Sequence, residues 1–254
     1  MLFLLTAPLA MANQWAGQSI QICDDGAEFA PLTYYKRDGG DKTKELIGST
    51  VELIDLIFRK HNIRYQITLL PWKRCLHEVK YGKNFQLILN AVHTKERAEN
   101  YLLTQPHFDS KKHYFYSKSK YPQGITINTN RDFEQYSLGG VRGYAQTVFG
   151  VEDGQVEFYT HSYGNLIEMM YLNRFDVFLA GEELYFWLRL TRPDLAVNNK
   201  LGYGAINYLP DTDYHMLISK GYSKAEELKE LIDRELDLMR ESGQLQGLKE
   251  KYFH

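Results

Sequence analysis

The chain lacks most of the features that mark specialised protein classes. Two cysteines in 254 residues are too few for a small fold stapled by several disulfides. No apolar run reaches the ~20 residues that a bilayer-spanning helix needs. Neither charge sign is in excess: 30 Lys+Arg stand against 32 Asp+Glu, a net charge of -2. That balance removes a strongly basic nucleic-acid binder as the default. There is no low-complexity tract and no long Pro/Gly/Ser linker, so any two units must touch closely. Walker, G-x-G-x-x-G, G-x-S-x-G, H-E-x-x-H and C-x-x-C patterns are all missing, and the eight His are scattered. No metal, cofactor or catalytic nucleophile is therefore announced. What remains is globular in composition, with 44% hydrophobic and 24% charged residues. The length buries a substantial core and suits one large domain or two ordinary ones. Aromatics make up 14%, with 19 Tyr, which serve surfaces that are both apolar and hydrogen-bonding.

Residues 2–10 read LFLLTAPLA and lead into Met11 and Ala12. This stretch resembles the apolar part of a secretory leader with a small-x-small site at Ala10-Met11-Ala12, though no Lys or Arg precedes it. The expectation is a leader over 1–12 and export to the periplasm. A buried N-terminal strand or helix is the other reading. In an oxidising compartment Cys23 and Cys75 are free to pair. Two buried free thiols are equally compatible with the sequence.

Strands and helices alternate along the chain. Ser19–Cys23 is a short β-type run ended by turn residues at Asp24–Gly26. Ser49 and Glu52 form a capping-box pattern, predicting a helix with Val51, Ile54, Ile57 and Phe58 on one face. Tyr65–Leu70 is the next strand, and Pro71 opens a helical stretch that ends at Gly82. The run FQLILNAV, residues 85–92, suits a strand buried on both faces. This order implies right-handed crossovers and a parallel α/β sheet. A second unit follows: a strand at 113–117, a turn at Gly139–Gly143, a helix at 166–172 and strands at 175–179 and 214–219. Ser223 and Glu226 repeat the capping box before a last amphipathic helix.

The acidic pairs Asp24-Asp25 and Glu182-Glu183 are poor acid/base partners, because neighbours on a strand point to opposite faces. A solvated turn is expected for at least one member of each. Asn90 to Arg97 carry more information. A strand end leading into a helix start is where open α/β sheets bind ligands. Thr94 can cap that helix, and Arg97 can grip a carboxylate with two parallel hydrogen bonds. An Arg on a solvated helix face is the plain alternative.

The run Thr94-Lys95-Glu96-Arg97-Ala98-Glu99, followed by Leu102-Leu103-Thr104-Gln105-Pro106-His107-Phe108, resembles the T-x-x-R…F-S-x-P-Y/F signature of periplasmic solute-binding proteins of the polar amino acid type, the bacterial extracellular solute-binding family 3. Phe29-Ala30-Pro31, Ile47-Gly48, Pro71-Trp72-Lys73-Arg74, Asn173-Arg174-Phe175-Asp176 and Ser242-Gly243…Lys251-Tyr252-Phe253 extend the resemblance over nearly the whole mature chain. It implies an α/β protein with the two-lobed type 2 periplasmic-binding fold. Residues 13–116 plus 208–254 would form lobe 1 and 117–207 lobe 2. Tyr114–Lys118 and Ile206–Leu209 would be the crossings, with the ligand between the lobes. It further implies no catalysis, no cofactor, no nucleic acid and a monomer that delivers a small amino acid or organic acid to a membrane transporter permease.

By position, Arg97 matches the Arg that holds the ligand carboxylate, Phe29 the aromatic packed over the ligand, and Trp72 an apolar wall. Asn90 matches an acceptor for the ligand amino group. Gly143-Tyr144-Ala145 and the two residues after them match a loop at a helix N-terminus that donates to the carboxylate. Two positions depart from the pattern. Val92 stands where a Ser or Thr hydroxyl usually helps, and Gly181 where an acid usually meets the ligand ammonium; Glu182 or Glu183 would replace it after a slip in register. Alternatives on this scaffold are a sensor module for a membrane receptor and a dehydratase using one of those two Glu.

Overall fold

The computed structural model describes residue 15, residues 17–197 and residues 200–253. The expected leader, residues 1–12, lies outside the described residues.

The chain begins with β1 (Ser19–Asp25), a hairpin of β2 (Tyr34–Asp38) and β3 (Asp41–Ile47), and α1 (Ser49–Lys60). Next come β4 (Arg64–Leu70), α2 (Trp72–Tyr81), β5 (Leu87–Val92), the short α3 (Lys95–Asn100), β6 (Tyr101–Leu103) and β7 (Phe108–Ser110). The middle of the chain supplies β8 (Lys112–Ser117), β9 (Leu138–Val141), β10 (Val156–Thr160), α4 (Tyr163–Tyr171), β11 (Val177–Gly181), α5 (Leu184–Thr191), α6 (Pro193–Val197) and β12 (Leu201–Ala205). The chain returns through β13 (Thr212–Ser219), α7 (Ala225–Glu241) and α8 (Gln244–Phe253).

Two lobes result, each built on its own sheet. The first sheet runs β4-β1-β5-β13-β6, with β7 also on β13. The second runs β10-β9-β11-β8-β12. Neither is all-parallel, as the alternation had implied. β1 is parallel to β4 and β5, but β13 enters antiparallel to β5 because it arrives from the other lobe. In the second sheet β8 alone runs against the other strands, antiparallel to both of its neighbours, β11 and β12. The apolar run ending at Val92 is a strand buried along its whole length, as its composition predicts.

The outgoing connection falls earlier than expected. Ser110 still pairs with Thr212 in the first sheet, while Lys112 pairs with Gly181 in the second. Residues 112–117 are thus a full strand of the second sheet. The return passes between Ala205, paired with His113, and Thr212.

Local chemistry explains the remaining departures. α1 starts on Gly48 without a side-chain cap, because the Ser49 and Thr50 amides donate to the Pro31 and Leu32 carbonyls at 3.0 and 3.1 Å. Its orphan donors are satisfied by backbone, so a hydroxyl cap is superfluous. α7 likewise starts on Lys224 with no side-chain cap, one residue after the expected Ser223. Gly139–Val141, expected as a turn, is strand β9; a Cβ on Gly139 would stand 2.7 Å from the Phe175 ring, so glycine serves close packing there. The β2–β3 hairpin turns on Gly39 and Gly40, both with positive φ (58° and 97°), as a tight two-residue hairpin requires.

α1 and α7 cover one face of the first sheet, where Ile54, Phe58, Leu228, Ile232 and Leu236 meet Ile20, Ile22 and Leu89. Cys23 and Cys75 are disulfide-bonded, with Cα atoms 5.7 Å apart, and tie β1 to α2 on the other face. The two cysteines are therefore a bridge and not free thiols.

Candidate ligand-binding site

The C-terminal ends of β1 and β5 and the start of α3 open onto a cavity between the lobes. It is lined from the first lobe by Asp24, Asp25, Phe29, Trp72, Asn90, Val92, Arg97, Thr212 and Tyr214, and from the second by Tyr144, Ala145, Gln146, Phe149, Tyr163 and Gly181. Its volume is about 60 Å³.

Arg97 is the main cation of this lining. Thr94 caps α3 by accepting from the Arg97 amide at 3.1 Å, which fixes the residue's backbone at the strand-to-helix turn. The side chain is not on a solvated face: Arg97 is only 7% exposed. Its guanidinium donates to the Val92 carbonyl at 2.8 Å and the Gly143 carbonyl at 3.4 Å, and lies 5.4 Å from the Trp72 ring. These contacts, two carbonyls and a ring, supply no negative charge. Burial pulls its pKa down to about 10, still far above neutrality. A buried guanidinium without a counter-charge is costly unless an anion meets it.

The acids are where sequence reasoning did not put them. Neither Asp24 nor Asp25 is in a solvated turn; they are 1% and 6% exposed. Asp24 accepts from the Asn90 amide at 2.6 Å through Oδ2, and its Oδ1 has no partner. Asp25 accepts from the Ala27 amide at 2.9 Å and from the Tyr144 hydroxyl across the cleft. Burial raises Asp24 to about 7, with the neighbouring Asp25 pushing the same way against hydrogen bonds from Thr33 and Asn90. Burial raises Asp25 also. Glu182 and Glu183 do not line the cavity. Glu183 is buried beneath it, accepting from Ser110 Oγ and, at 3.0 Å, from the Tyr214 hydroxyl.

Phe29, Trp72, Val92, Arg97, Tyr144, Ala145 and Gly181, all singled out in the sequence, converge on this cavity. Asn90 lines it too, but its amide group is committed. It donates to Asp24 and Thr33 and accepts from Thr50, all within 2.8 Å. The Gly143 backbone stands just behind the lining, its carbonyl accepting from Trp72 Nε1 at 2.9 Å. The loop after it leads only into a single 3-10 turn, Thr147–Phe149. The loop is therefore not followed directly by an α-helix N-terminus. Among the described residues no group of His, Cys, Asp and Glu is arranged to hold a metal.

Asp24 gives a stability prediction. Its folded pKa lies above the ordinary carboxylate value of 3.8, so the folded state binds more protons than the unfolded state between about pH 4 and 7. Its favourable contribution is complete below pH 4 and disappears as pH rises through 7. Asp24→Asn should raise the melting temperature of the ligand-free protein at pH 8, by about 2–4 °C per kcal/mol released, and leave it nearly unchanged at pH 4. Calorimetric melts at the two pH values measure this; equal shifts at both would refute the charge argument.

A two-lobed α/β fold, with a charged cleft where the two sheets meet, defines the class of bilobed ligand-binding proteins. The family model described as bacterial extracellular solute-binding proteins, family 3, matches residues 20–254, and the chain belongs to that family. No curated protein matches it. Among solved structures, an amino acid ABC transporter substrate-binding protein from Streptococcus pneumoniae bound to L-arginine is 22% identical, with a TM-score of 0.72 over 96% of this chain and 97% of that one. A histidine kinase sensor domain is 15% identical at TM-score 0.75, over 94% and 97% of the two chains. An ancestral amino acid-binding protein, a precursor of cyclohexadienyl dehydratase, is also 15% identical, at TM-score 0.69 over 93% and 96%. At these identities the likeness shows the fold.

Proposed function

We propose that this protein captures a small carboxylate-bearing solute, an amino acid or a related compound, outside the cytoplasmic membrane and presents it to an ABC-type transporter permease. The observation that carries this reading is Arg97, a buried guanidinium with no acidic partner among the described residues, lining a cavity with aromatic walls. The arginine-bound neighbour supports the ligand class, since its fold is shared over nearly the full chain. Lobe closure would pivot at Lys111 and at residues 206–211, where the chain passes between sheets. Tyr144 on Asp25 and Trp187 Nε1 on the Ala27 carbonyl at 3.0 Å join the two lobes and would hold a closed form.

A thermal-shift screen against amino acids, polyamines and organic acids tests the reading. One solute should bind per chain, and at 100 times its Kd should add about 2.7 kcal/mol of stability. No stabilisation by any carboxylate-bearing compound would sink it. An enzyme on the same scaffold is the second reading, and Asp24 is the observation that favours it, since its pKa near 7 suits proton transfer. Glu182 and Glu183 are outside the lining. Turnover of a prephenate-like substrate, lost in Asp24→Asn, would establish that activity.

A further inference from the structure

The β2–β3 hairpin forms a two-stranded sheet apart from the sheets of both lobes. Such a hairpin is marginal in water by itself, and its strands are mostly polar. Its register sets Arg37 directly opposite Lys42, and like charges facing each other across a strand pair repel. Glu28 resolves this from outside the hairpin. Its buried carboxylate accepts from Arg37 at 3.0 and 3.2 Å and from the Tyr35 amide at 2.9 Å, and lies 2.9 Å from Lys42 Nζ. Burial would push the Glu28 carboxyl up, but hydrogen bonds from Arg37, Lys42 and the Tyr35 amide hold it below the ordinary carboxylate value. One anion thus joins a cation from each strand. Glu28 also sits in the left-handed backbone region, with φ 65°. A glutamate stays there only where its surroundings fix it.

The segment so fixed is a face that the first lobe turns to the second. Before Glu28, the Ala27 carbonyl accepts from Trp187 Nε1 of α5 at 3.0 Å. After it, Ala30 is buried in the second lobe's apolar cluster with Leu184, Trp187 and Leu188, and Tyr34 at the start of β2 packs against that cluster. The hairpin, its anion and this interlobe contact are one continuous piece of structure.

We propose that Glu28 is a positioning residue for lobe closure: by joining Arg37 and Lys42 it braces the hairpin against residues 27–34, so that Ala27 and Ala30 meet α5 of the second lobe. The inference rests on the solute-capture reading above, where closure has its use, and adds the brace on which the closing face stands. Glu28 does not line the cavity. Its effect on binding therefore runs through the fraction of molecules that are closed.

The test follows hydrogen exchange of the three tryptophan indole N–H groups by NMR, with no solute added. Trp187 reports the interlobe contact, and Trp15, buried in the first lobe's core, reports damage to the fold. Glu28→Gln keeps the side chain's shape and leaves Arg37 and Lys42 facing each other. Trp187 should then exchange at least about 10-fold faster, with Trp15 within about 3-fold of wild type. Lys42→Met, at a half-exposed position, carries the sharper sign. Alone it removes an ion pair and should speed Trp187 exchange about 3-fold. In the Glu28→Gln background it removes a repulsion and should slow Trp187 exchange about 3-fold. A second injury to the fold could not give that recovery. In calorimetric titrations with the twenty standard L-amino acids, any that binds should bind Glu28→Gln about 3- to 10-fold more weakly and the double variant less weakly.

Unchanged Trp187 exchange in Glu28→Gln, an acceleration shared equally by Trp15, or the same sign for Lys42→Met in both backgrounds overturns the inference. So does a wild-type Trp187 that exchanges as freely as an unfolded chain. If Glu28→Gln does not fold, Lys42→Met alone decides, and unchanged Trp187 exchange in it overturns the brace. The exchange measurement needs no solute, so it decides the brace even where none of the amino acids binds, a result that counts against solute capture instead.

Discussion

Arg97→Ala should weaken solute binding by about 30-fold to several thousand-fold, the range for removing one partner of a buried charge pair. The argument runs from position to energy. Thr94 caps α3 and sets the backbone of Arg97 at the end of β5. The Val92 carbonyl, 2.8 Å from the guanidinium, holds the fork at the cavity wall without neutralising it. The attraction to an incoming carboxylate is therefore undiminished, and closure of the cleft removes the water that would screen it. The same geometry says the ligand-free fold survives. The lost contacts are two carbonyls and the Trp72 face, and a buried unpaired charge disappears with them. Melting temperature without ligand should thus move by only a few degrees while calorimetric binding vanishes. Arg97→Lys keeps the charge and loses the planar fork, so it should fall between. Wild-type affinity in Arg97→Ala would place the solute elsewhere.

What the sequence disclosed follows the range of the interactions. The apolar run ending at Val92, the aromatic strand near Tyr114 and the amphipathic face of α1 depend on near neighbours, and periodicity exposes them. Phe29, Trp72 and Arg97 came together through motif order, which encodes where strands end. Asp24 and Asp25 were misread because strand alternation was applied at the end of a strand, the one place where both residues can reach the cleft. Their burial depends on β1 lying between β4 and β5, a fact about register over more than sixty residues. The cap of α1 differs for the converse reason: a hydroxyl pattern is local, but the Pro31 and Leu32 carbonyls that take the Ser49 and Thr50 amides are not. The β2–β3 hairpin was legible in Asp38-Gly39-Gly40-Asp41, a two-glycine turn between polar runs. Polar strands leave no apolar alternation to draw attention to it.

Replacing Cys23 and Cys75 together with alanine should destabilise the protein by about 4 kcal/mol, the chain-entropy value for a bridge between residues 52 apart in sequence. For a chain of this size that is a fall of roughly 10 °C in melting temperature. Both sulfurs are fully buried, against Val79, Ile88 and Leu217, so alanine also leaves a small void and adds to the loss. The bridge matters to the site through its neighbours. Cys23 directly precedes Asp24, and Cys75 lies one helical turn after Trp72. The covalent link therefore sets the distance between the acid floor and the aromatic wall that stacks on Arg97. A looser α2 must be ordered again when solute binds, so affinity should drop as well, by roughly 3- to 10-fold, equivalent to about 1 kcal/mol of ordering cost. Melts of the double variant, and of wild-type protein in reductant, measure the first effect, and calorimetry the second. A melting temperature within about 3 °C of wild type would mean that β1 and α2 are held together by packing alone, and that the disulfide constrains neither the unfolded chain nor the site.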